Sequence, residues 1–139
     1  MTTQPFDENA GFIAGRDVWF EMRGAKAAQA ALDEAARDPM TRDLRQFLFE
    51  HCFAAVWARP GLERTTRSTI TISVLCALGR HEELKSHIKM GLNNGLTRDE
   101  LKEIFLHVGV YAGVPTAVAA VRAAQEVFAE MDKAPPPAE

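Results

Sequence analysis

The chain has few cysteines, and their placement excludes the usual thiol chemistries. Its 139 residues include only Cys52 and Cys76. These two form neither a CxxC pair nor a His/Cys cluster with zinc-site spacing, so the sequence indicates no dithiol redox centre and no metal site. Both lie in apolar sequence with helical spacing. We expect buried free thiols, because an intracellular chain of this size does not need a disulfide.

A strong excess of one charge is also absent. The chain has 16 Lys and Arg against 19 Asp and Glu, a net charge of -3 with both signs mixed along its length. Such a chain has no basic field for nucleic acid and no polybasic segment for a membrane surface. No apolar run approaches the length of a membrane span, and the first eight residues lack the basic and apolar regions of a signal peptide. We expect a cytoplasmic protein without nucleic-acid or membrane partners.

The composition that remains is typical of a globular protein. With 47% hydrophobic and 25% charged residues, the chain can bury one modest core. We predict a single domain over residues 1–133 and an exposed proline-rich tail over 134–139.

No segment of the sequence is a convincing strand. The β-branched run Thr69 to Val74 has neither polar alternation nor a pairing partner, so helix is favoured over strand there.

Helical spacing of apolar residues predicts an all-α fold of six or seven helices. Gly24, Gly79, Gly95 and Gly113 supply helix ends, and the run from Thr97 to Glu100 is a capping box. Thr41 is a plausible N-cap for the third helix, as is Thr65 or Thr66 for the fourth. The predicted helices run from about Asp7 to Met22, from Ala25 to Arg37, from Thr41 to just before Arg59, from Thr65 to Leu78, from Arg80 to Asn94, from Thr97 to the break at Gly113, and from Thr116 to Met131.

One helix has the composition of a reactive site. Arg80, Glu83 and His87 are spaced i, i+3 and i+7, so a cation, a carboxylate and an imidazole share one face beside Leu84. Glu83 can accept a hydrogen bond from His87, orienting the imidazole and raising its pKa for proton transfer. Ordinary surface pairs have the same spacing, and spacing alone favours that simpler interpretation.

Other candidates flank the turn at Pro60 and Gly61. Arg59, Arg64 and Arg67 can converge on a substrate carboxylate through bidentate contacts, although turn arginines are more often solvated, and Arg67 is the better candidate. Trp57 and Tyr111 can line a pocket, although aromatic residues at helical spacing usually belong to a core.

Several separate motifs together resemble the carboxymuconolactone decarboxylase family. The resemblance covers roughly residues 50 to 130, and it is closest to the 4-carboxymuconolactone decarboxylase branch. The motifs are VWARPGL at 56–62, RTTRS at 64–68, LGR at 78–80 with ELKSH at 83–87, NNGLTRDELKE at 93–103 and YAGVP at 111–115.

The resemblance implies an alkylhydroperoxidase D-like helical subunit. It also implies a homo-oligomer, a trimer or a hexamer built as a trimer of dimers, with sites that involve subunit contacts. A sister branch of peroxidases uses a CxxC pair, a following His and an upstream Glu. Aligning that His with His87 places Arg80 and Glu83 at the thiol positions and Ser68 at the Glu position. The peroxidase mechanism therefore lacks its reactive groups here.

The activity implied by the resemblance is a carboxy-lyase reaction without metal or cofactor. 4-Carboxymuconolactone, a small anionic lactone, would lose carbon dioxide to give 3-oxoadipate enol-lactone in protocatechuate breakdown, part of the β-ketoadipate pathway. Arg80 and Arg67 are expected to bind anions, with His87 as proton donor and Glu83 as its orienter or partner. The remaining substrate-binding candidates are Arg59, Trp57, Ser68 and Tyr111. Alternatives are a different lactone or keto acid as substrate, or a helical oligomer that lacks the CxxC pair and has no peroxidase activity.

Overall fold

The computed structural model describes residues 4–135, and this part of the chain contains helices and no strand. The prediction of an all-α fold is therefore confirmed. The chain forms two compact units, one that ends at Arg64 and one that begins at Thr65. The helices are α1 (Ala10–Arg23), α2 (Ala25–Ala35), α3 (Pro39–Leu48) continued by a π-helical segment (Phe49–Trp57), α4 (Arg64–Leu78), α5 (His81–Asn93), α6 (Arg98–Ala112) and α7 (Val114–Lys133).

Aromatic packing organises the N-terminal unit. Helix α1 lies against the π-helical segment, and the Trp19 ring centroid is 5.3 Å from that of Phe49. The two backbones approach closely at Gly15, where an added Cβ would stand 1.9 Å from the carbonyl oxygen of Phe49. Glycine is therefore required at this crossing, because any other residue would overlap the facing backbone.

The third helix differs from its prediction in two ways. Asp38, not Thr41, is its N-cap, since the Asp38 carboxylate accepts from the Thr41 amide at 2.8 Å and Pro39 occupies the first helical position. Pro at that position needs no amide partner, so the cap lies three residues earlier than predicted. Its second half is π-helical, and the Ala58 amide donates to the Phe53 carbonyl five residues back. Such segments are rare and are frequent at functional sites.

The C-terminal unit has a continuous aliphatic core. Helix α7 packs against both α5 and α6. Its small residues Ala120, Ala123 and Ala124 are buried, which lets the helices approach closely. The buried core residues are Ile72, Cys76, Leu84, Ile88, Leu96, Leu101, Phe105, Val108, Ala120, Ala123, Ala124 and Val127.

Glycines end α4 and α5 as predicted. Gly79 has φ 69°, and its amide and that of Arg80 donate to the carbonyls of Cys76 and Leu75. These two hydrogen bonds form a Schellman motif, and the same pair of bonds recurs around Gly95 at the end of α5. Helix α4 begins at Arg64, so the prediction that Thr65 or Thr66 caps it is wrong.

Thr97 caps α6 as predicted, since its hydroxyl oxygen accepts from the Glu100 amide at 3.1 Å. The other half of the predicted box differs, because the Glu100 carboxylate accepts from the Thr97 hydroxyl at 3.2 Å and not from the Thr97 amide. Helix α7 begins at Val114, two residues before the predicted start, because Pro115 fits the first turn. None of the helices in residues 4–135 combines the length and apolar content that crossing a bilayer requires. Most of the predicted tail, residues 136–139, lies outside the described residues, and the single domain stays a prediction.

Candidate functional site

Arg80 occupies a fixed backbone position between two helices. Its amide completes the Schellman motif of α4, and its carbonyl accepts the first bond of α5, from the Leu84 amide at 2.9 Å. With φ -87° and ψ 75°, it is the N-cap residue of α5, and its side chain is exposed. A cationic residue at the start of a helix, where the first amides lack helical partners, suits an incoming anion.

His87 is half-buried on the second turn of α5, and burial lowers its pKa to about 4. The imidazole is therefore neutral at pH 7 in this state. Glu83, one turn earlier, is exposed and makes no hydrogen bond or ion pair among residues 4–135. The expected pairing that raises the pKa of His87 is thus not formed, because the carboxylate lies on the solvent side of the helix. The catalytic roles of both residues stay predictions.

Ser68 is held by a residue that sequence reasoning missed. It is 1% exposed, and its hydroxyl oxygen accepts from Asn94 Nδ2 at 2.9 Å. A Cβ added to Gly91 would lie 3.7 Å from Ser68 Cβ, so α4 and α5 approach closely here. His87, Gly91 and Asn94 follow one another at four and three residues, which places them on one stripe of α5. The stripe that carries His87 therefore continues to the contact with Ser68.

The remaining candidates lie in both units. In the C-terminal unit, Arg67 is half-buried with a buried Nε, and Tyr111 is 82% exposed. Tyr111 stacks on His107 with ring centroids 5.3 Å apart. In the N-terminal unit, Trp57 is buried and stacks on Phe53 at the end of the π-helical segment. Arg59 follows it and is exposed.

The two cysteines are free, as predicted. Cys76 is buried and donates to the Thr116 carbonyl oxygen at 3.6 Å, whereas Cys52 is half-buried. Burial raises the pKa of both thiols, so neither favours the reactive thiolate. Within residues 4–135 no group of three His, Cys, Asp or Glu side chains is arranged to hold a metal ion.

A separate groove of about 300 Å³ lies between α4 and α6. It contains none of the predicted site residues, and its lining consists of Thr69, Ser73, Glu103, Ile104, His107 and Val108. The hydroxyls of Thr69 and Ser73 donate to backbone carbonyls one turn back, at 2.9 and 2.7 Å. These hydroxyl protons are therefore used within the helix, which leaves Glu103 and His107 as the titratable side chains of the groove.

Comparison with known proteins decides the family. Residues 42–126 match the profile of the Carboxymuconolactone decarboxylase family. The chain belongs to this family. It is 43% identical over 121 residues to the 4-carboxymuconolactone decarboxylase of Acinetobacter baylyi, an alignment that covers 87% of this chain and 89% of that protein. It is 32% identical over 120 residues to the nitrosuccinic acid decarboxylase of Metarhizium robertsii, covering 86% and 82% of the two chains.

The region matched by the carboxymuconolactone decarboxylase family includes α5 and the other helix that carries predicted site residues. The matched region includes the two helices that meet at Ser68 and Asn94, whereas α1 and α2 lie upstream of it. Arg67, Ser68 and His87 all lie on these two helices, and Arg80 lies between them. Arg67 and Ser68 lie near the start of α4, His87 lies in the middle of α5, and Arg80 lies beyond the opposite end of α4. The subunit therefore supplies two cations and a neutral imidazole along the α4–α5 pair, but it does not bring the two arginines together. Such groups can bind an anionic substrate and handle one proton.

Proposed function

We propose that this protein is a carboxy-lyase that converts 4-carboxymuconolactone to 3-oxoadipate enol-lactone without a cofactor. The observation that carries the proposal is the 43% identity to a 4-carboxymuconolactone decarboxylase across 87% of the chain. A second decarboxylase of the same family, at 32% identity, supports the reaction class. The half-buried neutral imidazole of His87 supplies a group that can exchange a proton in the site.

The decarboxylation requires only a few functional groups from the protein. The departing carboxylate is on a ring carbon conjugated through the double bond to the lactone carbonyl. When carbon dioxide leaves, the electron pair of the broken bond enters the ring as a dienolate that the lactone itself delocalises. The protein must bind two carboxylates, stabilise the growing charge on the lactone oxygen and protonate the carbon next to that carbonyl. Arg67 and Arg80, at opposite ends of α4, are the candidates for binding carboxylates, and His87 is the candidate for the protonation.

Substrate binding prepares His87 to donate its proton. The pKa of the imidazole is about 4, because burial disfavours its charged form. A substrate with two carboxylates brings negative charge close to the ring, which favours the imidazolium and raises the pKa. The proton donor is therefore formed when the dianion binds. Proton uptake from the buffer should accompany binding.

The oligomer and setting are also part of the proposal. Exposed apolar residues Ile70, Val74 and Leu78 recur every four residues along α4, and Val110 on α6 is 80% exposed. Exposed apolar faces of this kind support burial in subunit contacts. We propose a homo-oligomer, a hexamer built as a trimer of dimers, that acts in the cytoplasm within the β-ketoadipate pathway.

The direct test adds metal-free protein to freshly prepared 4-carboxymuconolactone and follows carbon dioxide release and enol-lactone formation by NMR. Conversion well above the spontaneous rate is expected. His87→Gln should lower kcat by a factor on the order of 10² or more, the usual effect of losing an acid-base group. His51→Gln is the matched control, because His51 is exposed and belongs to the N-terminal unit.

Several outcomes would contradict the proposal. Near-normal turnover by His87→Gln would remove His87 from the role of proton donor. Conversion of nitrosuccinic acid but not of the lactone would move the activity to another acid of the same reaction class. If neither acid reacts, and Glu83→Gln or His87→Gln dissociates the oligomer, then Arg80, Glu83 and His87 would belong to a non-catalytic subunit contact.

A further inference from the structure

Two arginines of the N-terminal unit share one indole ring. The Cζ atom of Arg45 lies 4.5 Å from the ring centroid of Trp19, and that of Arg23 lies 5.2 Å from the same centroid. Trp19 is 1% exposed and packs on Phe49 in the aromatic core. The ring therefore holds both guanidinium groups at the edge of the core by cation–π contact.

Neither guanidinium has a carboxylate partner. Arg23 and Arg45 make no ion pair or hydrogen bond within residues 4–135, and the Nε atom of each is buried without an acceptor. The other half-buried arginines of this unit all have acids: Arg16 contacts Asp17 at 3.1 Å, Arg42 contacts Asp43 at 3.4 Å and Arg64 contacts Glu21 at 3.1 Å. The missing partner is thus specific to the pair on Trp19.

The pair is unfavourable as it stands. Both Cζ atoms lie over one indole, so their separation cannot exceed the sum of their distances to its centroid. Two like charges held on one ring repel, and half-buried guanidinium groups also lose hydration. Burial and the charge of Arg23 together lower the pKa of Arg45. One anion between the two groups would neutralise the repulsion and accept their donors.

We propose that Arg23, Arg45 and Trp19 form a binding site for a carboxylate. Contact with the indole uses none of the N–H donors, and because the Nε atoms are buried, the terminal Nη groups are the donors that a ligand would meet. A planar carboxylate fits the two Nη groups of a guanidinium through two parallel hydrogen bonds. The carboxylate can come from a small acid in solution or from an Asp or Glu side chain of a second copy of this chain. None of these three residues belongs to the proposed decarboxylation site.

The test uses the full-length protein and sodium succinate as the probe. Isothermal titration with succinate, against sodium chloride of equal ionic strength, should show saturable binding. Arg23→Gln and Arg45→Gln should each weaken it about tenfold or more, the loss of one charge-assisted pair. Arg42→Gln is the matched control, because Arg42 is equally half-buried but already has Asp43, and it should leave binding unchanged.

Sedimentation velocity distinguishes the two sources. If a second copy supplies the carboxylate, the wild type takes up no succinate, and the Arg23→Gln and Arg45→Gln variants sediment as smaller species while Arg42→Gln does not. Circular dichroism checks folding. Should the Gln variants unfold, Arg23→Lys and Arg45→Lys keep the charge but lose the bidentate fork, and they should weaken binding or assembly in the same assays. Unchanged sedimentation together with no succinate binding, or binding that all variants share, overturns the proposal.

Discussion

Asn94 donates a hydrogen bond of 2.9 Å to the hydroxyl oxygen of Ser68, joining the end of α5 to the first half of α4. Both groups lie inside the C-terminal unit, where an unmet polar atom is costly. The bond therefore fixes how the helix that carries His87 meets the helix that carries Arg67. The position of His87 relative to Arg67 therefore depends on Asn94, which is not one of the predicted site residues.

Removal of Asn94 should loosen this junction. Asn94→Ala leaves the buried Ser68 hydroxyl without its donor, so we expect the free energy of unfolding to fall by about 1 to 3 kcal/mol. Ser68→Ala in the Asn94→Ala background should cost much less than in the wild type, because the bond is already lost. Urea unfolding of both single variants and the double variant measures this coupling, and strictly additive effects would contradict a direct interaction.

His87 should make stability depend on pH in a defined window. Its pKa is about 4 in the folded protein against 6.5 unfolded, so the unfolded chain binds the extra proton between these values. Stability is complete above pH 6.5, falls by up to about 3 kcal/mol as the pH drops to 4, and changes no further for this group below that.

His87→Gln should remove this part of the pH dependence. The measurement is urea unfolding at pH 7 and at pH 4.5 for the wild type, His87→Gln and the exposed-histidine control His51→Gln. We expect the wild type and the control to lose more stability on acidification than His87→Gln. Equal losses in all three proteins would show that His87 is not held neutral by burial.

Gly15 should tolerate no side chain. The Cβ of Gly15→Ala would overlap the Phe49 carbonyl, and the backbones of α1 and the π-helical segment would have to separate. We expect a loss of about 3 kcal/mol, the upper end for overpacking, or failure to fold. Gly11→Ala is the control on the same helix, since its Cβ would meet nothing closer than 3.4 Å. Thermal unfolding of both variants tests this, and a stable Gly15→Ala protein would contradict the close crossing.

A charge on the exposed face of α4 should disrupt the proposed oligomer. Val74→Lys places an ammonium in the middle of the apolar row from Ile70 to Leu78. Contact with another subunit would then bury an unpaired charge, which is unfavourable. We expect a smaller species in sedimentation velocity with unchanged helical content. Ala129→Lys, at an exposed position on α7, is the control. A Val74→Lys protein of unaltered size would exclude this face from the contact.

The helix ends that depend on local chemistry were predictable from the sequence. Gly79, Gly95 and Gly113 stop helices because only glycine adopts their positive φ without strain, and the Thr97 capping box identifies the start of α6. The cap of α3 was misassigned because Asp38 and Thr41 are both good capping residues. Pro39 between them was the signal that favoured Asp38.

Contacts between distant residues were not predictable in this way. The bond between Ser68 and Asn94 joins two helices, and nothing local to either residue reveals it, although Asn94 stands seven residues after His87. The π-helical segment has no distinct residue pattern, since its hydrogen bonds are made by the backbone alone. The hydrogen bond expected between Glu83 and His87 is not formed, although their local spacing is the one that such a bond requires. Correct spacing along a helix does not decide which side chain faces the core.

The close crossing of α1 over the π-helical segment also bears on how this protein can diverge. The family profile begins at residue 42, so it describes none of the residues of α1. Gly15 is nevertheless constrained, since the carbonyl it faces belongs to Phe49, inside the matched region. Homologues that keep this crossing should retain glycine there while the rest of α1 drifts. A single invariant position would then mark which distant chains still build their N-terminal unit in this way.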